Sequence, residues 1–234
     1  MRRHIPNALT VGNLLAGMLG IYCALVVGDL FAAAWCILLA GLLDVLDGAV
    51  ARALGVAGGI GKDLDSLADA VTFGVLPSFI MMRVLQDADS PLVMGYPFLA
   101  FLPWVLAVCG VVRLARFNND PGQSTHFRGI PIPAAAIAIS GFGIQSGNFH
   151  PSEAGLVLHP LVVLGVSFVV AYLMVSPFPM LSFKIPFRPT LWYWVAILVL
   201  PLCLLAWVQG AITFAIIGAY FLVSQLYFKN HPPL

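Results

Sequence analysis

The chain has 234 residues, of which 61% are hydrophobic and only 9% are charged, and its mean hydropathy is +0.98. Soluble domains carry about 25% charged residues, so this composition excludes an ordinary water-soluble protein and indicates a membrane protein. The formal net charge of +1 argues against nucleic acid as a partner, because binding a phosphate backbone requires a concentrated basic field.

Eight apolar stretches are long enough, or nearly long enough, to cross a membrane as helices. A hydrocarbon core about 30 Å thick requires about 20 mostly apolar helical residues. In chain order, the predicted spans are 8–28, 30–54, 64–86, 97–117, 132–147, 157–176, 191–208 and 211–228, of which the fifth is the weakest. They lack the alternating pattern of membrane β-strands. We therefore expect an all-α, polytopic membrane bundle of about eight helices, forming a single domain over 1–234.

The basic residues predict how these helices are oriented. Lys and Arg concentrate in the cytoplasmic loops of membrane proteins. With a cytoplasmic N-terminus, the opposite-side connections hold Asp29, Asp87, Asp89 and Glu153, and Arg83 is the one basic residue not assigned to the cytoplasmic side. That side would contain Arg2, Arg3, Arg52, Lys62, Arg113, Arg116, Arg128, Lys184, Arg188 and Lys229. We expect both termini in the cytoplasm.

Four aspartates lie at the end of the second predicted span and the start of the third. Asp44 and Asp47 share a helix face at i, i+3, and Asp65 and Asp69 share one at i, i+4. The short loop 53–60 makes the two helices antiparallel neighbours, so the four carboxylates can converge on one cleft. Ionisable groups at membrane depth are costly unless they are paired, hydrated or metal-bound, which favours a functional site over structural ion pairs.

The chemistry of this cluster indicates a divalent cation and a phosphorylated ligand. Grouped carboxylates suit Mg²⁺, Mn²⁺ or Ca²⁺ rather than zinc, and such a cation relieves their repulsion while offering positive charge to a diphosphate. Gly48 and Gly61 would let a nucleotide approach the helix backbones. Arg52 could hold a phosphate oxygen through its forked donors.

These residues form the pattern D-x2-D-G-x2-A-R-x8-G-x3-D-x3-D, carried by Asp44, Asp47, Gly48, Ala51, Arg52, Gly61, Asp65 and Asp69. The pattern resembles the signature of the CDP-alcohol phosphotransferase family. The resemblance implies a helical membrane enzyme, usually a dimer, that moves the phosphatidyl group of a CDP-lipid onto an alcohol and releases CMP.

The same resemblance implies roles for the individual residues. Asp44, Asp47 and Asp65 would bind one or two divalent ions, Mg²⁺ or Mn²⁺. Asp69 would be the general base and is a candidate further metal ligand. The predicted CDP-lipid-binding residues are Asn13, Gly48, Ala51, Arg52 and Gly61.

A second resemblance concerns the acceptor alcohol. The strings RLARFN (113–118), FRGIPIPAAA (127–136), LMVS (173–176) and FK (183–184) resemble the phosphatidylserine synthase branch of the family. The similarity covers 5–184, a six-helix core, and leaves 191–228 as an additional helix pair. We therefore expect L-serine as acceptor and CDP-diacylglycerol as donor, with the active site at the cytoplasmic face of the cell inner membrane.

Arg113, Arg116 and Asn118 are the predicted serine-binding residues, because serine brings a carboxylate to bind. The alternative for the two arginines is that they anchor the fourth span at the membrane interface. Other acceptors in the family, glycerol-3-phosphate or inositol phosphate, are the nearest alternative functions. Outside the family, the alternatives are a polyprenyl transferase and a metal-ion transporter.

The first predicted span carries two further features. Asn7, Thr10 and Asn13 offer hydrogen-bonding groups that could read cytidine or phosphate, and we assign Asn13 to substrate and Asn7 to the helix start. Gly12, Ala16 and Gly20 form a small-residue ridge, which predicts helix packing or the seam of a homodimer.

Overall fold

A computed structural model of the chain describes residues 4–56, 60–88, 91–119, 127–148 and 158–180. Its elements are α1 (His4–Tyr22), a π-helical turn (Cys23–Val27), α2 (Leu30–Ala53), α3 (Ile60–Asp69), a second π-helical segment (Ala70–Val75), α4 (Leu76–Asp87), α5 (Pro91–Gly95), a 3₁₀ segment (Pro97–Trp104), α6 (Val105–Asn119), β1 (Phe127–Arg128), α7 (Ile132–Asn148), α8 (Pro160–Val175) and β2 (Pro179–Met180). The strands pair antiparallel over two residues each.

Within the described residues, four continuous helical stretches are long and apolar enough to cross a membrane: His4–Val27, Leu30–Ala53, Ile60–Asp87 and Pro97–Asn119. Shorter apolar helices, Ile132–Ser146 and Pro160–Val175, occupy the fifth and sixth predicted spans. The helical class is therefore confirmed over the described residues. The predicted pair within 191–228 lies outside them, so the count of eight stays a prediction.

The junction between the first two spans shows how the sequence sets their antiparallel packing. Gly28 adopts the left-handed φ of 77° that ends the π-helical turn, a conformation that favours glycine. Asp29 then caps α2 by accepting a hydrogen bond from the Ala32 backbone N–H at 2.8 Å. Because only two residues separate the helices, α2 must return directly along α1.

The small residues of α1 pack inside the chain. A Cβ atom placed on Gly20 would lie 2.5 Å from Leu76 and 2.9 Å from the Cβ of Cys36, and one on Gly12 would lie 3.4 Å from Leu43. Ala16 is buried in the same core. Of the two interpretations of the Gly12–Ala16–Gly20 ridge, the structure therefore supports helix packing within one chain.

Hydrogen bonds show which helix ends lie together. Thr10 near the start of α1 contacts Asp47 near the end of α2, and Asn118 at the end of α6 contacts Ser66 of α3. The backbone N–H of Ile130, just before α7, donates to the carbonyl of Leu173 near the end of α8. Asp44 of α2 lies beside Asp65 of α3, and Arg116 of α6 donates to the carbonyl of Val175 in α8, so the three pairs adjoin. These six helix ends form one end of the bundle, here called the site end. The opposite end carries the ion pair Arg83–Asp87, at 3.0 Å.

Candidate active site

Three of the four predicted aspartates converge at the site end. Asp44 and Asp47 of α2 and Asp65 of α3 each place a carboxylate oxygen within 4.8 Å of the other two. Asp47 is buried, and the other two are partly buried. Oδ1 of Asp65 is buried and has no hydrogen-bond partner among the described residues. Three carboxylates this close, one with an unpartnered oxygen, fit a hard divalent cation.

Asp47 is additionally held by the first helix. The hydroxyl of Thr10 lies 2.6 Å from Oδ2 of Asp47 and 3.1 Å from the carbonyl of Pro6, and Thr10 is buried. The hydroxyl thus donates to a carboxylate across two helices. The sequence suggested Thr10 as a group that could read the substrate, whereas the structure gives it a contact to an acidic residue.

Asp69 has different surroundings from the other three acids. It is the last residue of α3, it is buried, and it lies outside the group of three. Its Oδ1 accepts a hydrogen bond from Nδ2 of Asn13 at 3.2 Å. Asn13 itself is fully buried, and its carbonyl accepts a hydrogen bond from the hydroxyl of Thr72 at 3.2 Å.

A cavity of about 290 Å³ opens beside the aspartates, between the starts of α1 and α3 and the end of α2. It is lined by Pro6, Asn7, Thr10, Asp47, Gly48, Ala51, Arg52, Val56, Gly61, Lys62 and Asp65. The lining includes every predicted CDP-lipid residue except Asn13, which the structure places against Asp69. Sequence reasoning missed Lys62 and assigned Asn7 to helix capping.

Both motif glycines leave room for a polar side chain in the wall of this cavity. A Cβ atom on Gly48 would lie 3.2 Å from Nη1 of Arg52, one turn later on the same helix. A Cβ atom on Gly61 would lie 3.1 Å from Oδ1 of Asn7. A methyl group at either glycine would therefore crowd Arg52 or Asn7.

The predicted serine-binding residues lie on α6, at the site end but outside the lining of the cavity. Arg113 is 7% exposed. Arg116 is exposed and donates to the carbonyl of Val175 at 3.2 Å, where α8 ends. Asn118 donates to the Ser66 hydroxyl at 2.8 Å, and its carbonyl lies 3.5 Å from Nζ of Lys62. Arg116 and Asn118 thus join neighbouring helix ends, a role that the sequence did not indicate.

Comparison with known proteins identifies the family. The CDP-alcohol phosphatidyltransferase family model matches residues 3–224, and so extends beyond the 5–184 region of the sequence resemblance. The chain is 34% identical over 182 residues to the CDP-diacylglycerol–serine O-phosphatidyltransferase of Bacillus subtilis, which covers 77% of this chain and 92% of that protein.

Two other relatives have similar identities. The archaetidylserine synthase of Methanothermobacter thermautotrophicus is 35% identical over 165 residues, which is 70% of this chain and 67% of that protein. The CDP-diacylglycerol–serine O-phosphatidyltransferase of Helicobacter pylori is 34% identical over 166 residues, covering 69% and 67%. With the family match running through nearly the whole sequence, this chain belongs to the CDP-alcohol phosphatidyltransferase family.

Proposed function

We propose that this integral membrane protein transfers the phosphatidyl group of CDP-diacylglycerol to L-serine, giving phosphatidylserine and CMP. The observation that carries the proposal is the cavity in which Arg52 and Lys62 lie beside the convergent carboxylates of a family signature. Serine is the acceptor common to the names of the bacterial and archaeal relatives, whereas the lipid in those names differs.

The walls of the cavity suit the diphosphate of the donor. Arg52 and Lys62 offer two cations from different helices, and Gly48 and Gly61 let phosphate oxygens approach the backbone. Asp44, Asp47 and Asp65 would hold one or two divalent ions, Mg²⁺ or Mn²⁺. When bound, such an ion supplies positive charge to the diphosphate.

Asp69 is the proposed general base. Its carboxylate takes the proton of the serine hydroxyl while the serine oxygen bonds to the phosphorus that carries diacylglycerol. The bond between this phosphorus and the bridging oxygen breaks, and CMP leaves with that oxygen. Nδ2 of Asn13 donates to Oδ1 of Asp69 at 3.2 Å, which leaves Oδ2 to take the proton.

Arg113 is the proposed partner of the serine carboxylate. It is buried on α6 at the site end, where the loss of water strengthens its attraction for an anion. Arg116 and Asn118 would support it by holding α6 against α8 and α3, in addition to the serine contacts expected of them.

The reaction is tested by measuring CMP release from CDP-diacylglycerol by the purified protein with Mg²⁺ or Mn²⁺. We expect release to depend on L-serine and not on glycerol-3-phosphate or inositol phosphate. CMP release with CDP-archaeol in place of CDP-diacylglycerol shows whether the enzyme uses the ether lipid or the diacyl lipid as donor. Asp65→Asn should abolish release, while Asp63→Asn, an exposed acid on the same helix, is the matched control. Metal flux without CMP release would indicate a transporter instead.

We also propose the setting in which this enzyme works. The basic residues Arg52, Lys62, Arg113 and Arg116 gather at the site end, which supports a cytoplasmic active site in the cell inner membrane. The core over 5–184 would carry the reaction, with 191–228 as an additional helix pair. The family resemblance supports a homodimer, which size-exclusion chromatography with light scattering would test.

A further inference from the structure

We propose that Asn13 is a positioning residue that holds Asp69 in place for proton transfer, and that Thr72 in turn holds Asn13. The inference rests on the proposed function, in which Asp69 accepts the serine proton. It assigns Asn13 a role other than the substrate contact expected from the sequence.

The hydrogen bond between Asn13 and Asp69 joins the first and third spans. Nδ2 of Asn13 lies 3.2 Å from Oδ1 of Asp69, and both side chains are buried. An amide N–H that donates to one carboxylate oxygen fixes the orientation of the whole group. The second oxygen of Asp69 is then aimed in one direction, which a base requires.

Thr72 fixes the backbone from which Asn13 projects. Its hydroxyl donates to the Asn13 carbonyl at 3.2 Å, and Thr72 is fully buried in the π-helical segment that follows Asp69. Asp69 and Thr72, three residues apart in the chain, therefore both bond to Asn13 of α1. Together the two bonds set the register of α1 against α3.

Gly17 is what allows this approach. A Cβ atom on Gly17 would collide with the Thr72 hydroxyl and lie 3.0 Å from the Thr72 Cα. Because the Thr72 Cα belongs to the backbone and cannot rotate away, a side chain at position 17 would push the two helices apart. The absence of a side chain brings Thr72 within reach of Asn13.

Asn13 lies outside the cavity that we assign to the donor. It is 0% exposed, and it is absent from the lining of the cavity formed by the described residues. A substrate ligand would affect the KM for CDP-diacylglycerol when removed. A residue that acts through Asp69 would instead affect kcat.

The test compares Asn13→Ala, Thr72→Val and the double variant in the full-length protein. For Asn13→Ala we expect kcat to fall about 10- to 100-fold, because small misplacements of a reacting group have effects of this size. The KM for CDP-diacylglycerol should stay within about twofold, as expected when donor binding is unchanged. The Mn²⁺-induced shift in thermal unfolding should also be unchanged. Thr72→Val, nearly the same shape without the hydroxyl, should lower kcat less.

The double variant provides the sharpest result. If Thr72 acts through Asn13, the double variant has the kcat of Asn13→Ala alone, since non-additivity reports a shared role. Ser167→Ala is the control, because it removes a buried hydroxyl that donates to its own helix at 2.8 Å, outside the site. It should leave kcat unchanged.

Three outcomes would overturn the inference. These are a raised CDP-diacylglycerol KM with unchanged kcat in Asn13→Ala, additive losses in the double variant, or an unchanged kcat in Thr72→Val. The kcat of Thr72→Val tests the inference even if Asn13→Ala does not fold. Wild-type release of CMP with an alcohol other than serine would reject the proposed acceptor, and the same comparison with that alcohol would still test Asn13.

Discussion

Asp65 and Asp69 lie one turn apart on α3 but meet different neighbours. Asp65 faces Asp44 and Asp47 and has a buried oxygen with no partner among the described residues. Asp69 accepts an amide hydrogen bond instead. In the proposed mechanism these different surroundings make Asp65 a metal ligand and Asp69 the base, although both residues have the same side chain.

We expect Asp65→Asn and Asp69→Asn to fail in different ways. Asp65→Asn should lose the metal dependence of CDP-diacylglycerol binding, whereas Asp69→Asn should lower kcat by roughly 10²- to 10⁴-fold with binding retained. The measurements are donor affinity at several Mg²⁺ or Mn²⁺ concentrations and turnover. If Asp69→Asn loses metal-dependent binding as severely as Asp65→Asn, Asp69 is chiefly a ligand.

Gly48 offers a test of the Arg52 position. In Gly48→Ala the new methyl would displace the Arg52 guanidinium, so we expect a severalfold higher KM for CDP-diacylglycerol. The fold should not suffer, because alanine is favoured over glycine in a helix by about 1 kcal/mol. Gly41→Ala on the same helix is the control, because among the described residues its methyl meets only Ile137, at 4.0 Å. An unchanged KM for CDP-diacylglycerol in Gly48→Ala would show that donor binding does not depend on the position of the Arg52 guanidinium.

At the level of elements, α6 brings Arg113 and Arg116, which we propose to bind serine, to the site end. We expect Arg113→Lys to raise the KM for serine with a much smaller effect on the KM for CDP-diacylglycerol, because an ammonium cannot reproduce bidentate carboxylate binding. Arg116→Lys should have the smaller effect, since its guanidinium contacts the Val175 carbonyl. Equal KM values in wild type and Arg113→Lys would make Arg113 an interface anchor.

The contact between α2 and α7 depends on one glycine. A Cβ atom on Gly143 would lie 2.8 Å from the backbone carbonyl of Leu30, which cannot rotate away. We expect Gly143→Ala to destabilise the protein by about 1–3 kcal/mol, the usual cost of overpacking. Thermal unfolding in detergent measures this. Gly165→Ala, whose methyl would meet none of the described residues within 4 Å, should be neutral, and equal midpoints for the two variants would contradict the packing.

The lengths of the apolar stretches predicted where helices occur, but not the residue at which the third span begins or which segments are π-helical or 3₁₀. The third span begins at Ile60 rather than 64, because a helix continues through the polar residues Lys62 and Asp63 at which hydropathy falls. The π-helical and 3₁₀ segments leave no periodic trace in so uniformly apolar a sequence. The helix α5 was not predicted because it has only five residues. The β1–β2 pairing was not predicted because it depends on contact between segments far apart in the chain.

The motif predicted the site better than single residues did. Fixed spacing brought Asp44, Asp47 and Asp65 together and placed Gly48, Ala51, Arg52 and Gly61 on the cavity. The partner of Asn13 could not be predicted, because it lies 56 residues away in the chain. Lys62 carried a signal that was not used, namely a charge directly after the motif glycine.

For the whole molecule, the unequal distribution of charge between the ends of the bundle predicts orientation. Cysteines introduced at Ala53, near the site, and at exposed Met94, in α5 beyond the third span, should react with impermeant reagents from opposite sides of the membrane. The background would have alanine at Cys23, Cys36, Cys109 and Cys203. We expect Ala53→Cys to react only from the cytoplasm. Reaction of both from one side would reject the proposed topology and a cytoplasmic active site.

The π-helical segment Ala70–Val75 sets the rotation between the two halves of the third span. A π turn holds more residues than an α turn and so absorbs a local insertion between the acid-bearing helix α3 and the buried apolar helix α4. If the same residues formed plain α-helix, the two halves would be rotated by about 100° relative to each other, the angle of one residue. That helix would still be long enough to span the bilayer, yet Asp65 and Asp69 would no longer face their partners. Under the proposed mechanism, the wide turn is therefore a requirement for catalysis that hydrophobicity alone does not reveal.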